Sequence, residues 1–136
     1  LLPTLIAGNP LKRDDLSTNV TMRLLCKGQP YYDGRLRLVV GSKLLDEGRS
    51  SSSGIYTVTS SKYSAPYNKV TTKLMSVAKL QIFHTCNAKS CWELAKEHEV
   101  PYEYVSTPQL KRPAWDVGRV ELNILYEERK VECVNM

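Results

Sequence analysis

The chain has no run of eighteen apolar residues, so nothing in it is long and greasy enough to cross a membrane as a helix. It has two histidines, too few for most metal centres and for a histidine-rich catalytic site. No Ser-His-Asp order, no glycine-rich phosphate loop and no metal-ligand cluster is visible, so metal and cofactor are both expected to be none. Acid is missing from one long stretch. Between Glu47 and Glu93 there is no aspartate or glutamate, while Arg49, Lys62, Lys69, Lys73, Lys79 and Lys89 fall there. That block carries +6, and the rest of the chain sums to −1.

What is present describes one globular domain. The 136 residues are 42% hydrophobic and 24% charged, a balance that supports a core and excludes a wholly disordered chain. The net charge is +5. An acid-free block of this kind draws anionic partners: a lipid surface, a nucleic acid, an acidic protein or a glycan. The plainer reading is a set of solvated lysines.

Four cysteines stand at 26, 86, 91 and 133. A zinc site normally needs two close pairs, and only Cys86 and Cys91 are close. An even count fits disulfides, with three possible connectivities, and disulfides imply an oxidising compartment, hence secretion. Asn19-Val20-Thr21 is a glycosylation sequon, which marks Asn19 as a candidate site of a secreted glycoprotein. The N-terminus, Leu1 to Ile6, has no methionine and no basic segment, and reads as a processed end. Residues 1–17, broken by Pro3, Gly8 and Pro10, read as an N-terminal arm. Residues 18–136 read as the domain.

The dominant period is two. Val20, Met22, Leu24 and Cys26 alternate with Thr21, Arg23 and Leu25. Leu36, Leu38 and Val40 alternate with Arg35, Arg37 and Val39. Tyr56 and Val58, then Leu80, Ile82 and His84, repeat the pattern. Val120, Leu122, Ile124 and Tyr126 close it, with Arg119 and Glu121 on the other phase. Such alternation marks strands with one buried and one wet face. Turn signals at Lys27-Gly28-Gln29-Pro30, Asp33-Gly34 and Ser50 to Gly54 separate them. The fold class is therefore all-β, a sandwich of seven to eight strands. One short helix is expected over 90–98, because Ser90-Cys91-Trp92-Glu93 matches a capping box and Pro101 stops the run. Between Ser60 and Ala78 only a short strand near Val70–Met75 is expected. The last strand should be short, since Glu127 to Lys130 breaks the alternation. Leu25, Phe83 and Leu125 take the outward phase, which would leave one outer face partly apolar.

The order of local motifs resembles the nematode transthyretin-like family. The residues that carry the resemblance are Cys26-Lys27-Gly28-Gln29-Pro30, Leu44-Leu45-Asp46-Glu47-Gly48, Gly54-Ile55-Tyr56-Thr57-Val58, His84-Thr85-Cys86-Asn87 and Val100-Pro101-Tyr102-Glu103-Tyr104. It runs from Val20 to Cys133. The family's members are small secreted β-sandwich proteins, and the resemblance implies the same here. In that family fold the first strand lies beside the C-terminal segment, which implies pairing of Cys26 with Cys133 and, at the strand-to-helix corner, Cys86 with Cys91. The chain departs from the family in being basic where relatives are acidic: Val40 to Lys43 precedes Leu-Leu-Asp, and Thr85 follows the histidine.

The transthyretin fold also hosts a hydrolase of 5-hydroxyisourate, which needs paired histidines and a Tyr-Arg-Gly-Ser tail. This chain ends Cys133-Val134-Asn135-Met136. His84 lies on an inward phase and reads as a buried structural histidine, and His98 as a helix-end cation. The Cys86-x4-Cys91 pair lacks the thioredoxin setting of a redox pair. No enzyme activity and no nucleic-acid binding are expected, since the basic residues are widely spaced without the aromatic interleaving of nucleic-acid readers. The expected function is a secreted, extracellular, non-enzymatic adaptor or assembly subunit. The resemblance implies a protein or receptor partner and an anionic surface such as phosphatidylserine-containing membrane, because the family includes an adaptor of that kind. Lys62, Lys69, Lys73 and Lys79 are the candidate lipid-binding contacts. The alternatives are a protein–protein subunit of an extracellular complex, or a carrier of a small apolar ligand.

Overall fold

The computed structural model describes residues 11–51, 53–60, 63–68, 73–74, 78–95, 97–123 and 133–135. The strands are β1 (Leu11–Leu16), β2 (Asn19–Cys26), β3 (Gln29–Pro30), β4 (Arg35–Val40), β5 (Lys43–Gly48) and β6 (Ile55–Thr59). They continue with β7 (Tyr63–Asn68), β8 (Lys73–Leu74), β9 (Lys79–His84), β10 (Glu93–Leu94), β11 (His98–Glu99) and β12 (Trp115–Glu121). Eight of these have five or more residues, and the other four are two-residue pieces. The all-β sandwich expected from the alternation is what forms, with two sheets packed against each other.

One sheet runs β10-β9-β4-β5, with β11 also on β9. The facing sheet runs β12-β2-β3, with β6 also on β2. A third, three-stranded piece is β1-β7-β8. Every pairing is antiparallel except β12 with β2, which is parallel. Parallel neighbours need a long connection, and here most of the domain lies between them.

The inward phases meet in the core. Val20, Met22 and Leu24 of β2 and Tyr56 and Val58 of β6 face Leu36 and Leu38 of β4 and Leu80 and Ile82 of β9, all essentially without exposure. Each such side chain, fully buried, contributes about 1.5–3 kcal/mol. β2 turns into β3 through Lys27 and Gly28, both at positive φ (55° and 76°), the conformation that a two-residue hairpin turn requires. Gly48 ends β5 against the β6 backbone, where a Cβ would lie 2.6 Å from the Thr57 carbonyl oxygen.

Five expectations are corrected. No helix spans residues 90–98. The Cys91 amide donates to the Ala88 carbonyl in a turn, and the chain then runs along β9 as β10 and β11, with Glu93 opposite His84 and His98 opposite Leu80. The Glu93 carboxylate accepts from Asn87 Nδ2 rather than reaching back to Ser90. A helix of nine residues is marginal alone, and strand pairing wins. The disulfides are Cys26–Cys86 and Cys91–Cys133, not Cys26–Cys133 and Cys86–Cys91. Cys26 ends β2 in one sheet and Cys86 follows β9 in the other, so the first bridge ties the two sheets with Cα atoms 5.7 Å apart. Cys91 lies beyond the turn, where Glu93 bridges Cys133 and the Val134 amide donates to Trp92.

The stretch expected as an arm, 1–17, contains β1, paired with β7 over its whole length, and Leu16 is buried in the core. Residues 1–10 lie outside the described residues. Between Ser60 and Ala78 the structure has β7 as well as the short β8, where only one strand near Val70–Met75 was expected. The last strand is expected over Gly118 to Tyr126; β12 starts earlier, at Trp115, and Ile124, Tyr126 and Glu127 to Lys130 lie outside the described residues.

Candidate functional site

The four candidate lysines divide. Lys62 and Lys69 lie outside the described residues. Lys73 sits in β8, paired opposite Asn68 in the three-stranded piece. Lys79 is exposed at the start of β9, with Glu99 of β11 as one cross-strand neighbour and Val39 as the other. Lys73 and Lys79 thus belong to different sheets. Asn19 is exposed at the start of β2, on the rim of a polar cleft of about 520 Å³ lined also by Asp15, Ser17, Ser60, Lys111 and Arg112.

The disulfide corner holds a polar network. The Tyr31 hydroxyl accepts from the Thr85 amide at 2.8 Å, and the Tyr56 hydroxyl donates to the Tyr31 carbonyl at 2.8 Å. Burial pushes the Tyr56 phenol up, against the opposing hydrogen bonds of Gly34 and Ser50. His84 is 2% exposed. The Cys86 amide donates to its Nδ1 at 3.2 Å, which leaves the ring proton on Nε2, 3.6 Å from Glu93 Oε1. Asn87 Nδ2 donates to the same carboxylate at 2.7 Å and to the Leu122 carbonyl at 3.1 Å. General acid–base chemistry needs the group within hydrogen-bond reach of a substrate. His84 is closed in beside β10 and the Cys86 backbone, and its ring is buried in this corner. His98 is half-buried, its ring edge-on to Trp115 at 6.4 Å, with Tyr104 stacked on the same indole at 6.2 Å. Among the described residues no group of three His, Cys, Asp or Glu side chains is placed to hold a metal ion.

The outer face of the β9-β4-β5 sheet carries its own cations, and they are engaged. Arg35 lies over the Trp92 ring at 5.5 Å and Arg37 over Phe83 at 5.3 Å. Both point a Nε at Glu47, at 3.9 and 3.5 Å. Phe83, expected to be an exposed apolar residue, is 7% exposed because Arg37 and β10 cover it. Leu25 is half-buried, and Leu125 lies outside the described residues.

The outer face of the opposite sheet is different. Arg23 of β2 and Arg119 of β12 are both exposed and stand directly beside one another in the parallel register. Among the described residues, neither has a carboxylate within ion-pair distance. Two clefts flank them, of about 280 and 210 Å³, and each is lined by both arginines. The alternation places each arginine on an outer phase, but only the strand order shows that they are neighbours.

Compared with protein-family models, with curated proteins and with solved structures, the chain matches none.

Proposed function

We propose that the chain is a secreted, non-enzymatic binding protein of the transthyretin-like kind, an extracellular adaptor or assembly subunit whose partner is anionic. The observation that carries this reading is the acid-free block, +6 over residues 48–92 in a chain of net charge +5. Two disulfides suit an oxidising, extracellular setting. No described helix is long and apolar enough to cross a membrane. The His84 network is buried, which supports a structural rather than a catalytic role for it. A lysine near an anionic leaflet adds about 1 kcal/mol of attraction, so several acting together give a useful and salt-sensitive contact.

The test is flotation with vesicles containing or lacking phosphatidylserine, at low and at physiological salt. Binding that depends on phosphatidylserine and weakens with salt supports an anionic partner of the membrane kind. The variant with Lys62, Lys69, Lys73 and Lys79 all changed to glutamate should lose it. Equal binding by the parent and this variant would reduce the block to a solvated surface.

A further inference from the structure

We infer that Arg23 and Arg119 form the centre of a binding groove for a sulfated polysaccharide, with the two guanidinium groups gripping sulfate oxygens. This names a ligand class for the anionic partner and so rests on the reading above, but it places the contact on two arginines that lie outside the acid-free block of residues 48–92.

Among the described residues the two arginines lack an acidic partner. Like charges on adjoining positions of neighbouring strands repel, and strands are only about 4.8 Å apart. An arginine pair in that position is expected to recruit a carboxylate, as Arg35 and Arg37 recruit Glu47 on the other sheet. Two carboxylates are near, on the same strand as Arg119, and both are committed to backbone. Asp116 Oδ1 accepts from the Gly118 amide at 2.9 Å. Glu121 accepts from the Gly28 amide at 2.7 Å, the Lys27 amide at 3.1 Å and the Asn123 amide at 2.9 Å. Among the described residues no carboxylate lies within ion-pair distance of either guanidinium, although Asp116 lines one of the two clefts beside them.

The shape narrows the ligand. The clefts lie on either side of the arginine pair along the strands, one toward Thr21, Ile55 and Asp116, the other toward Leu25, Pro30, Ser53 and Gly54. Together they make a shallow groove with the cations at its middle, hydroxyls at Thr21 and Ser53, and an apolar floor at Ile55 and Pro30. A linear chain with anionic groups at intervals fits such a groove. The guanidinium fork suits tetrahedral oxyanions, which it binds through two parallel hydrogen bonds, better than a lysine would.

The experiment measures binding of a heparin-type polysaccharide and of its desulfated form to the full chain at physiological salt. The parent should bind the sulfated chain and not the desulfated one. Arg23→Ala/Arg119→Ala should weaken that binding about tenfold or more. The control Lys43→Ala/Lys89→Ala removes the same charge at exposed positions elsewhere and should change it by less than about threefold. Arg23→Lys/Arg119→Lys keeps the charge but not the fork, and should fall between the parent and the alanine pair. Circular dichroism and thermal unfolding of each variant separate loss of the site from loss of the fold. Sulfated-chain binding that is unchanged in the arginine variant overturns this site and leaves the anionic-partner reading standing. Vesicle binding that needs the arginines, with no polysaccharide binding, overturns the ligand class. No binding to either the sulfated chain or phosphatidylserine vesicles overturns both readings.

Discussion

Removing the Cys26–Cys86 bridge tests the fold where sequence and structure part. The two cysteines are 60 residues apart in sequence, and the bridge joins the ends of strands in facing sheets. In the chain-entropy treatment a loop of that length is worth about 4 kcal/mol. The Cys91–Cys133 loop, at a separation of 42, is worth nearly the same, also about 4 kcal/mol. The loops follow one another without overlap, so the contributions should be close to independent. Domains of this size carry roughly 5–15 kcal/mol in all, so Cys26→Ala/Cys86→Ala removes a large share of the total. With a urea slope of about 2 kcal/mol/M, the unfolding midpoint should fall by about 2 M. A shift below about 0.5 M would contradict the reasoning. Thiol titration adds a second readout. Cys26→Ala/Cys86→Ala should show no free thiol, because Cys91–Cys133 stays closed, whereas Cys86→Ala/Cys91→Ala should expose both Cys26 and Cys133. Pairing of Cys26 with Cys133 would reverse those two results.

Three further outcomes follow from single groups. Tyr63 is 4% exposed and its hydroxyl has no hydrogen-bond partner among the described residues, so Tyr63→Phe should be stabilising by about 1 kcal/mol in denaturant unfolding. Burial also pushes that phenol from 10.0 up to about 12, so its contribution is whole below pH 10 and is lost as pH rises through the folded value. Thermal unfolding between those limits should fall more steeply for the parent than for the phenylalanine variant. Gly48→Ala puts a methyl 2.6 Å from both the Thr57 oxygen and Val58 Cγ2, forcing β5 from β6 at a cost of about 2 kcal/mol, and equal stability would show that the strands can part. For Glu121, slight burial raises the carboxyl, but the amides of Asn123, Gly28, Lys27 and Leu122 outweigh it and hold the group below its ordinary value. Its contribution is therefore present above the ordinary glutamate range and lost as pH falls through the lower folded value, an acid limb that Glu121→Gln should flatten.

The strands that build the core were legible because each alternates cleanly. Val20, Met22 and Leu24, or Leu80 and Ile82, can bury only one face of a strand, and they do. β1 was hidden by its charges, Leu-Lys-Arg-Asp-Asp-Leu, and β7 by Pro66, which argues against a central strand. Each finds its order in the other, with Arg13 opposite Pro66. The expected helix failed for the opposite reason. Ser90 to Glu93 is a sound local signal, but β9 offers Glu93 and Leu94 a strand edge beside His84 and Phe83. Cysteine connectivity and the Arg23–Arg119 pair depend on which distant segments adjoin, and alternation along one strand carries no information about that.

The placement of Arg119 depends on a backbone irregularity more than on the arginine itself. β12 keeps register with β2 up to Asp116, then shifts before Gly118. Unbroken alternation from the exposed Asp116 would turn residues 118 and 120 outward and Arg119 into the core, a buried charge with no partner. The extra residue reverses the phase: Arg119 and Glu121 become exposed and Leu122 is buried. Gly118 sits at φ 86°, a conformation that favours glycine, and a Cβ there would meet nothing within 4 Å. Backbone conformation, not space, therefore fixes glycine at this position. Asp116 Oδ1 accepts from the Gly118 amide within this irregularity. One bulge thus sets the phase of the charge, and two exposed guanidinium groups side by side on neighbouring strands are the consequence.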